Sequence, residues 1–393
     1  MQPLKGLKIL DFTTLLPGPY ATQLLADMGA EVLRIEAPNR PDLLQMMPPK
    51  IGKVSAAHAA INRNKKSLAL DLKKPEAKGI IEALLKEYDI VLEQFRPGVM
   101  TRLGLDYQQL KAVQPKLIYC SITGYGQTGP LKDKAGHDIN YLALSGLASY
   151  SGRADTGPVL SATQIADIAG GSHHAVMAVL AAVFQRTQTG QGQYLDISMA
   201  DAALALNTMF GATALVAEKD PECGREMLNG GLFYDYYQTA DQRYLSIGSL
   251  EPNFAVGLMQ QLDLSYLIPS MMNQAADKQQ CIKQAIAEKI VEKTLAEWTE
   301  IFSTLDVCVE PVLTIQEAAR HPHFSERRML GSAVDEQGTV IPQINSALPF
   351  KNNTPHQVGA CLGAHSQEVL QSIGYSSEQI DALIQSGCVK ASS

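Results

Sequence analysis

The sequence predicts an α/β protein, with a mainly parallel sheet covered by helices and a second, smaller α+β domain. Short apolar runs alternate with helical patterns through the N-terminal third. After a charged, turn-prone segment at 219–225, the pattern changes to a hairpin followed by helices. The 393 residues are 46% hydrophobic and 19% charged, which is ordinary for a globular chain and excludes global disorder.

The N-terminal elements form repeated strand–helix–strand units. The first unit has strands at 7–12 and 31–35 around a helix at 20–28, which ends near Gly29. The second has strands at 67–72 and 90–95 around a helix at 75–88, with Pro75 in its first turn. A helix at 106–113 and a strand at 117–122 follow. This alternation is typical of a parallel sheet with helices on both faces.

Later elements follow a different order. We predict a long helix at 167–188, a strand at 194–198 and an apolar helix at 200–216. Two alternating strands, 233–239 and 244–249, flank Ala240-Asp241-Gln242 and predict a hairpin. Helices are then expected at 251–262, 279–292, 294–305, 365–373 and 377–386.

Composition excludes several classes of protein. The net charge of −7, from 33 basic and 40 acidic residues, argues against a nucleic-acid partner, because phosphate contacts need clustered basic residues. The six cysteines are far apart, so neither a disulfide framework nor a zinc site is expected. The opening residues lack a signal-peptide pattern, and the apolar stretch 175–184 is shorter than a bilayer span. We expect a cytoplasmic protein without a membrane partner.

Common cofactor and hydrolase motifs are absent. The turn after the first strand reads LLPGPYA and lacks GxGxxG, so the dinucleotide fingerprint is missing. The sequence also lacks GxxxxGK[ST], GxSxG and HExxH.

Three polar positions are candidates for chemistry, and each also has an ordinary structural explanation. His137, in GHDINY, could simply cap a helix. Asp167, in ADIAGGS, is favoured at a helix N-terminus by the dipole. The paired glycines after it carry a helix penalty, so we hypothesise close approach of another group to exposed N–H groups that could bind an oxyanion. Glu251, just before Pro252, could be a charge at a helix end.

The adjacent pairs Lys65-Lys66 and His173-His174 have simpler structural interpretations. Lys65 and Lys66 are expected to be solvated turn charge, although a basic turn beside a sheet can meet phosphate. His173 and His174 are adjacent in the long helix and cannot both face one site.

Several long motifs occur in the same order as in a known family. They are LKGLKILDFTTLLPGPYATQLLADMGAEVLRIEAP, NRNKKSLALDLKKPE, EQFRPGVMTRLGLDY, LIYCSITGYGQTGP, TGQGQYLDISMADA and LGAHSQEVLQSIGYSSEQIDALIQSG. With these motifs the chain resembles the class III coenzyme A transferase superfamily, of the carnitine-dehydratase/bile-acid-inducible type. The segments GHDINYLALSG, ADIAGGS and FYDYYQTADQRYLSIGSLEPNF resemble its α-methylacyl-CoA racemase branch.

The resemblance implies roles for the candidate residues. In the racemase branch a His and an Asp are the two catalytic bases, which match His137 and Asp167, and a Glu that pairs with the His matches Glu251. In the transferase branch the Asp is the nucleophile and a glycine-rich GGGGQ-like loop helps to close the site. This chain lacks such a loop, which favours the racemase. A CoA-transferase and a non-catalytic acyl-CoA-binding paralogue remain the alternatives.

The resemblance also implies the architecture and the CoA contacts. It predicts a Rossmann-like large domain built from both chain ends (1–224 and 326–393), a small domain at 225–325, and an interlocked homodimer. The family's basic CoA contact matches Arg102. Another CoA-contacting Arg is replaced by Ala37, and Arg40 or Lys65 are its candidate substitutes. No cofactor is implied beyond the CoA that the acyl-CoA substrate carries.

Overall fold

The computed structural model describes residues 2–52, 54–153, 155–273, 275–350 and 355–392. The strands are β1 (Lys8–Asp11), β2 (Glu31–Glu36), β3 (Lys50–Ile51), β4 (Val54–Ser55), β5 (Lys65–Leu70), β6 (Ile90–Glu93), β7 (Ile118–Thr123), β8 (Gly152–Arg153), β9 (Gly157–Pro158), β10 (Tyr194–Ser198), β11 (Asp235–Gln238), β12 (Tyr244–Ile247), β13 (Val309–Pro311), β14 (Leu330–Val334), β15 (Val340–Ile344), β16 (His356–Gln357) and β17 (Val389–Lys390).

The α-helices are α1 (Pro17–Asp27), α2 (Ala56–Ile61), α3 (Pro75–Leu84), α4 (Val99–Leu103), α5 (Tyr107–Val113), α6 (Asp138–Leu144), α7 (His174–Thr189), α8 (Met199–Ala205), α9 (Thr208–Ala217), α10 (Pro252–Gln261), α11 (Ala276–Ile290), α12 (Leu295–Phe302), α13 (Ile315–Ala318), α14 (Pro322–Glu326), α15 (Ser366–Ser372) and α16 (Ser377–Gln385). A π-helix, Ala166–His173, leads directly into α7.

The main sheet confirms the predicted α/β class. Among the described residues it has seven strands in the order β10-β7-β6-β1-β2-β5-β17, and all neighbours pair in parallel except β17 with β5. Chain order runs outward from β1 in both directions, so the sheet has a switch point between β1 and β6. In open α/β sheets, ligands bind outside the carboxyl ends of the strands at such a point.

Successive residues of a strand face opposite sides of the sheet, so both faces present apolar side chains. Helices cover both of these faces. On one face, Leu10, Leu33 and Val91 join a fully buried cluster with side chains of α3 and α15. On the other face, α1 packs on β1 and β2, and α7 packs on β7 and β10. The long predicted strands and helices of this region are therefore confirmed, with ends that shift by a few residues.

The chain divides into two compact units. The first comprises Met1–Ser145, Ser161–Leu206 and Pro322–Ser393, and so takes in both chain ends. The second comprises Gly146–Leu160 and Asn207–His321, which differs from the predicted 225–325. The reason is local packing: the Tyr150 hydroxyl donates to Asn207 Oδ1 (2.8 Å), and the Tyr150 and Phe210 rings lie 5.5 Å apart. The helix predicted at 200–216 is accordingly two helices, α8 and α9.

The second unit contains the predicted hairpin. Strands β11 and β12 pair antiparallel, with Tyr237 opposite Leu245, and β13 adds a third strand. Its core joins these strands to α10, α11 and α12, with Trp298 and Phe302 stacked at 5.5 Å. Sequence reasoning missed β14 and β15 in the first unit, an antiparallel pair within what looked like a polar stretch.

The structure corrects the predicted length of the most apolar helical stretch. Ala166–Thr189 is a continuous helical segment of 24 residues, long and apolar enough by length and composition to cross a membrane. The predicted stretch 175–184 was too short because the helix starts earlier. A helix packed on a sheet can be equally long and apolar. The α7 part of this segment packs against β7 and β10.

Candidate active site

His137 lies directly before α6, as its N-cap residue. Its backbone N–H donates to Asn140 Oδ1 (3.0 Å), and its carbonyl accepts from the Asn140 N–H (2.8 Å). The residue is exposed. The main chain of His137 thus has the predicted capping role, while its imidazole stands at the surface of the first unit.

Asp167 lies in the first turn of the π-helix and is tied to the start of α6. Its backbone N–H donates to Asp138 Oδ1 at 3.0 Å. Burial, then the Asp138 charge, raises the pKa of the Asp167 carboxyl to about 6, and the His137 charge opposes that rise. His137, Asp138 and Asp167 therefore share one electrostatic neighbourhood. A carboxyl that titrates near neutrality is suited to proton transfer.

The glycine pair of the π-helix is used for helix packing. A Cβ on Gly170 would lie 3.2 Å from the Met199 carbonyl oxygen, and one on Gly171 would lie 3.0 Å from Pro17 Cβ. The close approach predicted from these glycines is real, but the approaching groups belong to α8 and α1. The hypothesised oxyanion donors also need correction. The Asp167 N–H is bonded to Asp138, and the Ile168 N–H donates to the Gln164 carbonyl (2.9 Å).

Tyr141 fixes the loop that carries His137. Its hydroxyl donates to the Gly136 carbonyl (2.6 Å), and its ring meets Tyr125 edge-on at 5.2 Å. A Cβ on Gly124 would lie 2.5 Å from the Tyr141 oxygen, so only glycine fits there. Burial, then the Asp167 charge, raises the pKa of Tyr141 to about 12, while Arg96 lowers it. Sequence reasoning did not single out Tyr141 or Arg96, although Tyr141 ends the GHDINY motif.

Glu251 lies in the second unit, directly before α10, and is exposed. Its charge is among the causes, after burial, that raise the pKa of the Cys308 thiol. The pairing of Glu251 with His137 stays a prediction.

Two of the predicted CoA contacts are accessible cations. Arg102 is exposed on α4, a short helix flanked by Gly98 and Gly104, which both adopt left-handed conformations (φ 78° and 72°). Arg40 is exposed in the loop after β2, three residues beyond the exposed Ala37.

The structure corrects the predicted environment of Lys65. Its ammonium group is completely buried, lies 3.5 Å from Asp11 Oδ2, and donates to the Pro19 carbonyl (2.8 Å) and to Asn62 Oδ1 (3.0 Å). It is interior charge in β5, not solvated turn charge, so it does not reach a phosphate in this structure. Lys66 matches the solvated interpretation, with a partly exposed ion pair to Glu368 at 2.9 Å.

A cavity of about 400 Å³ opens near the carboxyl ends of β6 and β7. Its lining includes Arg96, Tyr107, Tyr194 and the buried Glu93, and includes neither His137 nor Asp167. Glu93 accepts from the Ser121 hydroxyl and from the Phe95 N–H (2.8 Å), and burial raises its pKa to about 7.

Metal chemistry has no ligand set in the part of the chain that the structure describes. No group of three or more His, Cys, Asp or Glu side chains there could hold a metal ion.

The parallel sheet with a switch point defines an α/β protein, and its candidate site is a half-buried carboxyl in electrostatic range of an exposed imidazole. The chain belongs to CoA-transferase family III, whose family model matches residues 4–365. It is similar over its full length to an enzyme of Homo sapiens named alpha-methylacyl-CoA racemase, at 37% identity with 99% of each chain covered. A succinyl-CoA:glutarate CoA-transferase of Mus musculus is 30% identical, over 99% of this chain and 91% of that protein.

A solved structure has the same fold. It is a CAIB/BAIF family protein from Brucella suis, with a TM-score of 0.81 and 26% identity, covering 94% of this chain and 99% of that one. The suspected superfamily is therefore confirmed, and the chain is an enzyme of this family.

Proposed function

We propose that this enzyme racemises or epimerises 2-methylacyl-CoA thioesters by proton transfer between two bases. The observation that carries the proposal is the half-buried Asp167 carboxyl, with its pKa near 6, in electrostatic range of the exposed His137. The full-length similarity to a racemase at 37% identity supports the same choice.

Inversion of a carbon that bears hydrogen requires removal of the proton on one face and delivery on the other. One base takes the α-proton, the C–H electron pair delocalises onto the thioester oxygen as an enolate, and the second base protonates the opposite face. His137 and Asp167 are the two bases, each acting as acid when the other acts as base. General acid–base catalysis supplies roughly 10²- to 10⁴-fold, so the enolate oxygen must also be stabilised.

The CoA portion is the binding handle. Arg102 and Arg40 are exposed cations suited to phosphate groups, and remote binding energy positions the reacting carbon. Glu251, by accepting a hydrogen bond from His137, would fix the imidazole tautomer. No separate cofactor enters this scheme.

The second candidate is a CoA-transferase, favoured by the 30% identity to a succinyl-CoA:glutarate CoA-transferase. The Asp167 carboxylate would attack the acyl carbonyl and expel CoA thiolate to give a mixed anhydride. The thiolate would then attack the aspartyl carbonyl to give an aspartyl thioester and release the carboxylate.

Solvent exchange separates these functions. A pure (R)- or (S)-2-methylacyl-CoA is incubated with the enzyme in D₂O, and the α-position is followed by NMR. Deuterium incorporation with epimerisation supports the racemase. Transfer of CoA to a free carboxylic acid without exchange supports the transferase, and CoA binding with neither reaction supports a binding paralogue. His137→Ala abolishes epimerisation under the first mechanism, whereas the second does not require the imidazole.

We also propose that the enzyme works as a homodimer, interlocked as the family resemblance implies. Large apolar side chains stand exposed on the described helices: Phe184 on α7 is 67% exposed, and Leu215 and Val216 on α9 are 84% and 88% exposed. Exposed apolar patches of sufficient size mark protein contact surfaces. Light scattering coupled to size exclusion should give twice the 42.5 kDa chain mass.

A further inference from the structure

The π-helix that carries Asp167 is fastened by one buried hydroxyl. Ser172 is completely buried, and its Oγ donates to the Pro17 carbonyl in the first turn of α1 at 2.6 Å. The same Oγ lies 3.2 Å from the carbonyl oxygen of Asp167. This single side chain therefore touches both the backbone of Asp167 and the helix against which the π-helix packs.

Two side-chain polar atoms of this segment approach a carbonyl oxygen five residues earlier. Ser172 reaches Asp167, and His174 Nδ1 lies 2.6 Å from the Ala169 carbonyl, so its Nδ1 carries the proton. A π-helix is rare and appears mostly as a single widened turn, often at a functional site. The hydroxyl hydrogen of Ser172 goes to the Pro17 carbonyl, so this side chain ties the widened turn to α1.

The surroundings leave little freedom for this turn. Gly171 approaches Pro17, and Gly170 approaches the Met199 carbonyl, so the buried side of the π-helix lies against α1 and α8. On the other side, the Asp138 carboxylate accepts from the Asp167 N–H. The main chain of Asp167 is thus held at its N–H by Asp138, and the Ser172 hydroxyl, which donates to Pro17, lies 3.2 Å from its carbonyl oxygen.

We infer that Ser172 is a positioning residue for the catalytic carboxyl, setting the direction of Asp167 through the backbone of the π-turn. This rests on the proposed function, because it concerns the base that Asp167 supplies. A misplacement of a catalytic group by about 1 Å can lower the rate roughly 100-fold. Loss of one hydrogen bond next to the Asp167 backbone can therefore lower kcat measurably.

The test is Ser172→Ala, assayed with each enantiomer of a 2-methylacyl-CoA in D₂O. We expect kcat to fall roughly 10- to 100-fold with little change in KM, since CoA binding is untouched. The loss of the α-proton should slow most for the enantiomer that Asp167 deprotonates, which Asp167→Asn identifies. The other enantiomer should still exchange through His137. General damage to the fold would slow both enantiomers equally.

Two further variants keep the result interpretable. Ser172→Cys retains volume but is a weak donor, so it should lose rate as the Ala variant does, and it replaces that variant if the latter does not fold. Ser172→Thr keeps the hydroxyl and should restore kcat. The matched control is Ser366→Ala, another fully buried serine, which donates to the Lys390 carbonyl at 2.7 Å. It should lose stability without the enantiomer-specific effect.

An unchanged kcat, or an equal slowing of α-proton exchange for both enantiomers, would overturn the inference while leaving the racemase intact. If the wild-type enzyme transfers CoA without exchange, the racemase proposal fails. The inference is then tested by the same kcat loss in transfer, because Asp167 is the nucleophile of that reaction.

Discussion

The backbone N–H of Asp167 donates to the carboxylate of Asp138, one residue beyond His137, at 3.0 Å. This bond joins the two segments that carry the proposed bases. It also places a second negative charge beside the Asp167 carboxyl, and that charge is the largest cause, after burial, of its raised pKa. Asp138 therefore has two separable effects: one on position and one on charge.

Asp138→Asn should separate them. The amide oxygen can still accept from the Asp167 N–H, but the like charge is gone, so the pKa of Asp167 falls. The acidic limb of the kcat profile should move to lower pH by roughly half to one unit. Asp138→Ala also removes the acceptor and should lower kcat at every pH. An acidic limb that stays in place in the Asn variant would show that Asp167 does not control it.

Asp167→Asn should stabilise the enzyme near neutral pH. Burial and Asp138 raise the folded-state pKa of Asp167 from 3.8 to about 6, so the folded state disfavours the charged carboxyl. That penalty is absent below pH 3.8 and grows as the pH rises through 6. With partial solvent screening, the gain in unfolding free energy above pH 6 should be about 1–2 kcal/mol. Urea denaturation at pH 5 and pH 8 measures it, and equal gains at both values would contradict it.

Lys65→Met should be strongly destabilising. It leaves the Asp11 carboxylate buried without the ammonium 3.5 Å away, and breaking a buried ion pair costs about 3–5 kcal/mol. The neighbouring Lys66→Met is the matched control, because its pair with Glu368 is partly exposed and should cost less than about 1 kcal/mol. Guanidinium denaturation compares the two, and similar losses would refute the buried assignment.

Arg102→Ala and Arg40→Ala should weaken binding of the CoA handle. Loss of a charge-assisted contact to phosphate should raise KM about 10-fold or more, with little change in kcat. Because these cations are exposed, the effect should shrink as salt rises. Arg225→Ala, which removes a surface pair to Glu222, serves as the control. Wild-type KM values in both arginine variants would place the CoA phosphates elsewhere.

Apolar patterning predicted the central strands of the main sheet well because they are buried on both faces. The run predicted at 90–95 is β6, Ile90–Glu93, fully buried. The burial of Lys65 could not be predicted from the sequence. Its partner Asp11 is distant in sequence, and only the strand order β1-β2-β5 brings the two together. The π-geometry at Asp167 likewise depends on tertiary contacts of Ser172 with Pro17.

The candidate site shows the same division. The types and order of residues around His137, Asp167 and Glu251 were sufficient to propose them as candidates, and their roles stay predictions. Their electrostatic neighbours were not predicted, because only the fold brings Asp138 near Asp167 and Arg96 near Tyr141. The second unit was predicted as a local block of hairpin and helices. Residues 146–160 also belong to that unit, but no periodic pattern in the sequence indicated this.

The antiparallel strand β17 covers the edge of β5, with Val389 opposite Leu70 and Lys390 opposite Ala69. Before that strand is added, the outer margin of the sheet has unpaired N–H and C=O groups that could recruit another chain. The nascent first unit therefore stays open while residues 207–321 are synthesised and fold on local contacts. During that interval the β5 edge is the part of the main sheet most open to pairing with another chain.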